Sequence, residues 1–190
     1  MFIFGHLGIT LGIVFLVFHV ILPKAGLKLK ISYLFIALGA ILPDLMDKPI
    51  GWILLNESVA NGRLFGHTLL FAAIIALVGF HLKEHRTAIF CVAFGVFMHL
   101  LEDRMWETPA TLLYPLFGFG FPQGSIGDWH GYFLDMVIRI YTPAFSYAFV
   151  TEMLGITILI GFAGFALYAT LNVKEKKEKL STKTNLKNSR

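Results

Sequence analysis

The residues of this chain that could do chemistry are histidines and carboxylates set in apolar sequence. The ionisable side chains within or beside its hydrophobic runs are His6, Asp44, Asp47, His67, His99, Glu102, Asp103 and Arg104. An ionisable group at membrane depth is costly, so by default it marks a functional site or a buried pair. Imidazole and carboxylate groups without cysteine suit Zn²⁺, Mn²⁺ or Fe²⁺ better than copper or an iron–sulfur cluster.

Two pairs of these residues are spaced to share one side of a helix. His99 and Asp103 are four residues apart, and Asp44 and Asp47, which follow Pro43, are three apart. Residues at i and i+3 or i+4 lie on the same helix face, so each pair can direct two side chains toward one ion. The predicted metal ligands are His6, Asp44, Asp47, His67, His99 and Asp103. They exceed the four ligands of a structural zinc, so two ions that share a carboxylate are an alternative to one.

Each of these residues also has a structural interpretation. A lone His at the end of a membrane span is often solvated, and an Asp after Pro often caps a helix. His99 and Asp103 could form a buried hydrogen-bonded pair, and His130 could be a further ligand or an anchor at the membrane interface. The remaining histidines fall at the opposite ends of their spans and are not counted as ligands: His19, His81 and His85.

The composition indicates a membrane protein. Of 190 residues, 56% are hydrophobic and 15% are charged, whereas about a quarter of a soluble domain is charged. A soluble globule and a disordered chain are therefore excluded. The single cysteine, Cys91, excludes a disulfide-stapled secreted domain. A nucleic-acid reader is excluded as well, because much of the positive charge lies in a C-terminal segment typical of a membrane-protein tail.

The apolar runs predict an all-α fold, a polytopic membrane helical bundle of about five transmembrane helices. The predicted spans are residues 2–22, 31–42, 67–82, 87–101 and 153–171, against about 20 residues for a full crossing. A further segment, residues 131–150, is interrupted by Asp135, Arg139 and Pro143. We interpret it as an interfacial or re-entrant helix, with a full crossing as the alternative.

Basic residues predict the orientation of the bundle. Three Lys lie in the loop 24–30, two basic residues in the turn 83–86 and seven after Val173, which together are twelve of the sixteen Lys and Arg. Short loops rich in Lys and Arg stay cytoplasmic, so five spans put the N-terminus outside and the C-terminus inside the cell membrane. Residues 1–172 would then be the embedded domain, and residues 173–190 a basic, disordered cytoplasmic tail.

Four of the ionisable residues fall at one predicted depth. We counted 1.5 Å per helical residue from the nearest cytoplasmic anchor. The resulting heights above the inner face are roughly 25 Å for His6, 21 Å for Asp44, 24 Å for His67 and 20 Å for His99. In a hydrocarbon core about 30 Å thick, these side chains are recessed just below the outer surface. The sequence therefore predicts a metal site near the outer face.

Four blocks of sequence resemble the YdjM-type inner-membrane metal-dependent hydrolases. They are Gly5-His6, Leu42-Pro43-Asp44-Leu45-Met46-Asp47, Arg63-Leu64-Phe65-Gly66-His67-Thr68, and His99-Leu100-Leu101-Glu102-Asp103 with Leu112-Leu113-Tyr114-Pro115. The order of the ligands is also similar to that of zinc-dependent phospholipase C. Gly62 and Thr68 depart from the family's usual His and Ser. The later His-x-x-x-Glu of phospholipase C has no counterpart, so the resemblance does not imply a full three-metal site.

The resemblance implies a hydrolase with one or two divalent ions, zinc or else manganese or iron. The first ion would be held by Asp44, His67, His99 and Asp103, and a second by His6 and Asp47 through Asp103. The proton acceptor could be Asp47, Glu102 or Glu107. Arg63 and Arg104 could bind a phosphate or pair with neighbouring carboxylates.

A recessed site at the outer face favours a lipid-like phosphoester or ester as the substrate, with membrane lipids as the other partner and no nucleic acid. Residues 108–125, rich in Gly, Pro and aromatic side chains, could form an interfacial lid or a packed loop over the site. The alternatives are a transporter or ion-relay protein that uses the His/Asp cluster, and a membrane protein that keeps a metal only for stability.

Overall fold

The computed structural model describes residues 1–26 and 29–188, and within these residues it contains helices and no strand. The helices are α1 (Ile3–Phe15), α2 (Leu22–Lys24), α3 (Tyr33–Pro49), α4 (Leu69–His81), α5 (Arg86–Glu102), α6 (Pro109–Leu112), α7 (Trp129–Tyr141) and α8 (Tyr147–Asn188). A π-helical segment, Leu16–Ile21, joins α1 to α2 into one helix, and another, Ile50–Leu54, extends α3. The predicted all-α fold class is confirmed.

Two helices among the described residues are long and apolar enough to cross a membrane. They are Ile3–Lys24 and the Tyr147–Asn172 part of α8. α4 has 13 residues, and α3 and α5 have 17 each. Seventeen helical residues reach about 26 Å, slightly less than a hydrocarbon core of about 30 Å. The other three spans of the five-span bundle stay a prediction.

The C-terminal third is divided differently from the sequence expectation. The predicted interfacial segment, residues 131–150, is split between α7 and α8, with Pro143 in the non-helical connection between them. α8 also continues past the predicted span through the basic segment to Asn188, because Lys, Glu and Leu are good helix formers. The boundary between an embedded domain and a cytoplasmic tail stays a prediction.

α1 packs against α8 through a contact between backbones. A Cβ atom built on Gly8 would lie 2.1 Å from the carbonyl oxygen of Gly155, and one built on Gly155 would lie 2.1 Å from that of Phe4. Small residues of this kind allow membrane helices to approach closely. Glu152, fully buried in α8, accepts hydrogen bonds from the N–H groups of Phe4 and Gly5 at 3.0 and 2.9 Å. It thereby satisfies two of the free donors at the start of α1.

A similar crossing joins α3 to α5. A Cβ atom on Gly39 would lie 2.2 Å from the carbonyl oxygen of Val92, and one on Gly95 would lie 2.3 Å from that of Ile36. The two helices therefore touch near their middles. This contact holds the C-terminal halves of α3 and α5 side by side, and those halves carry four of the ionisable residues predicted to form the site.

Candidate metal centre

Three imidazoles and two carboxylates converge at one buried point. They are His6 in α1, Asp44 in α3, His67 in the 3₁₀ turn before α4, His99 in α5 and Asp103 directly after α5. His6, His99 and Asp103 offer ligand atoms within 4.8 Å of one another, and so do Asp44, His67 and His99. The five residues therefore form two overlapping groups that share His99, and each group is close enough to hold an ion.

Each of the three imidazoles directs its Nε2 toward the centre, because its Nδ1 is hydrogen-bonded on the side away from the centre. The Nδ1 contacts are His6 to Glu102 Oε2 at 2.8 Å, His67 to Asp47 Oδ2 at 2.7 Å, and His99 to the carbonyl oxygen of Ala40 at 2.7 Å. Carboxylates and carbonyls accept, so each neutral ring carries its proton on Nδ1 and a lone pair on Nε2. Metal-ligating histidines make this outer contact in most metal sites.

The distance between two of these Nε2 atoms suits a cation better than a hydrogen bond. The Nε2 atoms of His67 and His99 lie 3.2 Å apart. With both protons on Nδ1, neither Nε2 atom has a hydrogen to donate, and two lone pairs face each other. Two nitrogen ligands of a tetrahedral zinc at about 2.0–2.1 Å lie about 3.3 Å apart. The ring pair therefore has the spacing of two zinc ligands.

Two buried acceptors at the centre are left without a hydrogen-bond donor. Within the described residues, His6 Nε2 and Asp44 Oδ1 have no hydrogen-bond partner. Asp44 Oδ1 lies 3.5 Å from His67 Nε2 and 3.8 Å from His99 Nε2, which are also acceptors. A buried unpaired acceptor costs about 1–3 kcal/mol, and a cation would remove that cost.

The charges around the centre also favour a cation. The carboxylates are Asp44, Asp47, Glu102 and Asp103. Against these four stand three positive groups: Lys48 bonded to Asp44, Arg63 at 3.0 Å from Asp103 Oδ2, and the Met1 amino group at 2.6 Å from Asp103 Oδ1. Because buried charges persist only when they are compensated, an excess of negative charge attracts a further positive ion.

His99 limits how ions can be distributed over the centre. It belongs to both groups of potential ligands. Its Nδ1 is hydrogen-bonded to the Ala40 carbonyl, so Nε2 is its one available ligand atom and His99 can bind a single ion. Two ions would have to share a carboxylate instead. Asp103 is placed for this, with Oδ1 at 3.3 Å from His6 Nε2 and Oδ2 at 3.8 Å from His67 Nε2. The arrangement fits one ion at Asp44, His67 and His99, and a second only through Asp103.

Asp47 lies behind His67 and not at the point of convergence. Its Oδ2 accepts the N–H groups of Leu64 and His67 at 2.6 and 3.1 Å, besides the His67 ring, and its Oδ1 accepts the N–H of Gly66 at 3.0 Å. Both oxygens are taken by the turn before α4. These contacts place Asp47 as a support for His67, while its predicted roles in binding an ion or accepting a proton stay predictions.

Glu102 has the corresponding role behind His6. Besides the ring of His6, it accepts the hydroxyl of Thr10 at 2.8 Å through its other oxygen. Its side chain is buried. Both carboxylate oxygens are in contact with groups of α1, and the role of Glu102 as a proton acceptor stays a prediction.

Of the two arginines predicted to bind phosphate, one reaches the centre. Arg63 touches Asp103 while leaving 40% of its side chain exposed. Arg104 instead pairs with Glu107 three residues later, and both side chains are about half exposed. The structure therefore shows the salt-bridge alternative for Arg104, and the role of Glu107 as a proton acceptor stays a prediction.

The histidines not counted as ligands lie outside both groups of potential ligands among the described residues. His130 is exposed and packs edge-on against Trp129, with 5.7 Å between the ring centres. That placement agrees with the interpretation as an anchor. The others are exposed as well: His19, His81 and His85.

A comparison with known protein families shows which family the chain belongs to. The sequence pattern of the family described as YdjM inner membrane protein matches residues 1–174. The chain belongs to this family. The resemblance seen in the four sequence blocks is thereby confirmed, and the family supports a membrane protein. No curated protein and no solved structure matches the chain.

Two residues of this YdjM-family chain whose contacts shape the centre and the helix packing were not singled out in the sequence. Lys48 bonds to Asp44 and lies over the rings of Phe2 and Trp52 at 5.5 and 5.7 Å. Its spacing of four residues after Asp44 could have predicted the pair. Glu152, at the edge of an apolar run, could have been noted as an ionisable residue at membrane depth.

Glu152 also connects α7 to the rest of the structure. The hydroxyl of Tyr141, the last residue of α7, donates to Glu152 Oε1 at 2.9 Å. Burial and the neighbouring Glu152 carboxylate raise the pKa of Tyr141 to about 12. The phenol therefore keeps its proton at physiological pH, and this bond between α7 and α8 persists.

The positioning role of Asp47 can be tested with the variant Asp47→Asn. An amide would turn an NH₂ group toward donors that need an acceptor, so His67 should lose its orientation. We expect zinc affinity to fall roughly 10–100-fold, as for other outer-contact carboxylates, measured by competition with a chromogenic chelator. Asp135→Asn is the control, because Asp135 is an exposed carboxylate paired with Arg139. Equal affinities of the two variants would contradict the role.

Proposed function

We propose that this protein is an integral membrane metal-dependent hydrolase that cleaves a phosphoester or ester of a lipid-like substrate at the outer face of the membrane. The observation that carries the proposal is the group formed by Asp44, His67 and His99, in which the two Nε2 atoms lie 3.2 Å apart and Asp44 Oδ1 has no hydrogen-bond partner among the described residues. His6 and Asp103 form a second group with the same His99. The nitrogen and oxygen donors fit zinc, and also manganese or iron.

An open cavity supports catalysis rather than a purely structural ion. A cavity of about 480 Å³ is lined by Asp44 and Asp103 from the centre, and by Lys48, Arg63 and Tyr132 around it. Structural zinc sites are closed by protein ligands, whereas catalytic sites keep one position open. A substrate in this cavity would lie directly against the proposed ion ligands.

Each side chain at the cavity has a role in the proposed reaction. When bound, a divalent ion would polarise the ester group and lower the pKa of the attacking water. Lys48 and Arg63 would pair with phosphate oxygens of the substrate. With Asp47, Glu102 and Glu107 occupied by other donors, the proton would pass to Asp44, whose carboxylate lines the cavity and whose Oδ1 accepts no hydrogen bond among the described residues.

The proposed activity is tested with purified protein in vesicles made from a mixed lipid extract. We expect lipid products, detected by mass spectrometry, that a chelator abolishes and that added Zn²⁺ or Mn²⁺ restores. A protein carrying His81→Ala, an exposed His outside the centre, should keep the activity. Absence of any metal-dependent product together with metal-coupled ion flux would instead support the transporter.

The proposal includes five spans with the C-terminus in the cytoplasm. A cysteine at Leu29, in a Cys91→Ala background, should react with a membrane-impermeant maleimide only after cells are permeabilised. A cysteine at the exposed residue Glu57, in the loop after α3, should react in intact cells. The reverse pattern would move the metal centre to the inner face.

A further inference from the structure

An apolar cavity meets the polar cavity beside the metal centre. It has a volume of about 340 Å³, and its apolar wall is formed by Ile3, Ile41, Leu45, Ile53, Trp129 and Phe133. Three residues line both cavities: Asp44, Lys48 and Trp52. The two spaces are therefore neighbours across one stretch of α3, with the proposed reaction centre on one side and a hydrocarbon-like surface on the other.

Lys48 marks the change from polar to apolar. Its ammonium group bonds to Asp44, while the same side chain lies over the rings of Phe2 and Trp52. Lysine commonly buries its methylene stem along apolar surface and keeps its charge at a polar boundary. Together with Arg63 in the polar cavity, it places two cations next to the entrance of the apolar one.

Two faces of helix α7 line the two cavities, one face each. Tyr132 and Met136 line the polar cavity, and Trp129 and Phe133 line the apolar one. Tyr132 also packs edge-on against Trp52, with ring centres 5.3 Å apart. The apolar cavity is thus bounded by α7 on one side, while five of its wall residues, Ile3, Leu45, Ile53, Trp129 and Phe133, remain 39–64% exposed, so a hydrocarbon chain can enter it from outside.

We propose that the apolar cavity binds the hydrocarbon chain of an anionic amphiphile whose phosphate occupies the polar cavity beside Lys48 and Arg63. The inference rests on the proposed function for the position of the phosphate, and it adds the chain-binding subsite and the charge of the substrate. Two adjoining cavities, one with Lys48 and Arg63 beside the proposed ion ligands and one apolar, match the phosphate and the hydrocarbon chain of an alkyl phosphate. Inorganic phosphate would leave the apolar cavity unused, and a cationic headgroup would face Lys48 and Arg63.

The chain-length dependence of binding tests this subsite. The probes are inorganic phosphate, butyl phosphate, octyl phosphate and octyltrimethylammonium, added to zinc-loaded Trp106→Phe protein in amphipol without free detergent. Its remaining tryptophans, Trp52 and Trp129, both line the apolar cavity and report binding by fluorescence. Since apolar burial strengthens binding by up to about fourfold per methylene, octyl phosphate should bind at least tenfold more tightly than butyl phosphate.

A filled cavity should remove this difference. In the double variant Ile41→Phe/Leu45→Phe, octyl phosphate should bind no more tightly than butyl phosphate, while inorganic phosphate binds as before. The matched control is Leu34→Phe/Leu38→Phe, with the same spacing on the same helix at positions that do not line the cavity. The variant Ile53→Phe, from another wall of the cavity, should reproduce the loss without altering α3.

Two results would overturn the proposal. One is equal binding of octyl phosphate to the filled and control variants, and the other is binding of octyltrimethylammonium as tight as that of octyl phosphate. The fluorescence measurement needs no turnover, so it separates this inference from the hydrolase. If binding depends on chain length but no lipid is hydrolysed, the chain-binding subsite is supported and the proposed hydrolase is rejected. If the variant with the filled cavity hydrolyses lipid as fast as the control, the proposed hydrolase is supported and the chain-binding subsite is rejected.

Discussion

Replacing His99 with Ala should strip the protein of bound metal. His99 is the one residue shared by both groups of potential ligands, and its Nε2 is one of the three ligand atoms that would hold the first ion, at Asp44, His67 and His99. We expect zinc affinity to fall more than about 100-fold, a loss larger than that caused by removing an outer contact. Elemental analysis of purified protein, followed by titration against a chelator, measures the change. Asp103→Ala should lower metal content sharply as well.

The control for this experiment is His81→Ala, which removes an exposed imidazole at the far end of α4. It should bind metal as the wild type does. Loss of folding is recognised by thermal unfolding with and without chelator. Chelation should lower the Tm of the wild type and of His81→Ala, and should leave that of His99→Ala unchanged. If His81→Ala loses as much metal as His99→Ala, the assignment of the centre is wrong.

The variant Gly155→Val should destabilise the protein more than any substitution at the surface. Its Cβ would fall 2.1 Å from the carbonyl oxygen of Phe4, a backbone atom that no rotamer change can move. Either α1 separates from α8 or the backbone distorts, and overpacking of this kind costs about 3 kcal/mol or more. Because α1 carries His6, metal affinity should fall together with Tm.

Gly164→Val, nine residues later in α8, is the matched control. No described atom outside its own helical surroundings lies within 4 Å of a Cβ built at Gly164. The helix propensity of Val relative to Gly is the same at both positions, so the difference in Tm isolates the contact. A Gly164→Val protein as unstable as Gly155→Val would show that the close approach is not what holds α1.

The convergence of the centre was predictable because the rise of a helix is regular. Counting residues from basic anchors placed His6, Asp44, His67 and His99 at one depth, and the structure brings these four together. The same regularity fails for the length of the spans. The apolar run at 67–82 contains the 3₁₀ turn of His67, so the helix that follows is only 13 residues long.

The division between ion ligands and positioning residues was beyond the sequence. Asp44 and Asp47 are alike in type and lie three residues apart, yet only Asp44 has an oxygen free for an ion. The difference arises because the turn from Leu64 to His67 folds against Asp47 and directs three backbone N–H groups at it. Helical periodicity predicts which face a residue occupies, but not which loop packs there.

The orientation of His99 depends on an acceptor that has no side chain. The carbonyl oxygen of Ala40 belongs to the main chain, so no amino-acid replacement at that position can delete it. A mutation can instead change the distance between this oxygen and the imidazole, because that distance depends on the close contact of α3 and α5 at Gly39 and Gly95. Loss-of-function mutations at these glycines would have the same effect as losing an ion ligand, although every ligand residue is still present in the chain. In a genetic screen scored by the proposed activity, these two glycines would be recovered together with the proposed ion ligands, although they touch neither ion nor substrate.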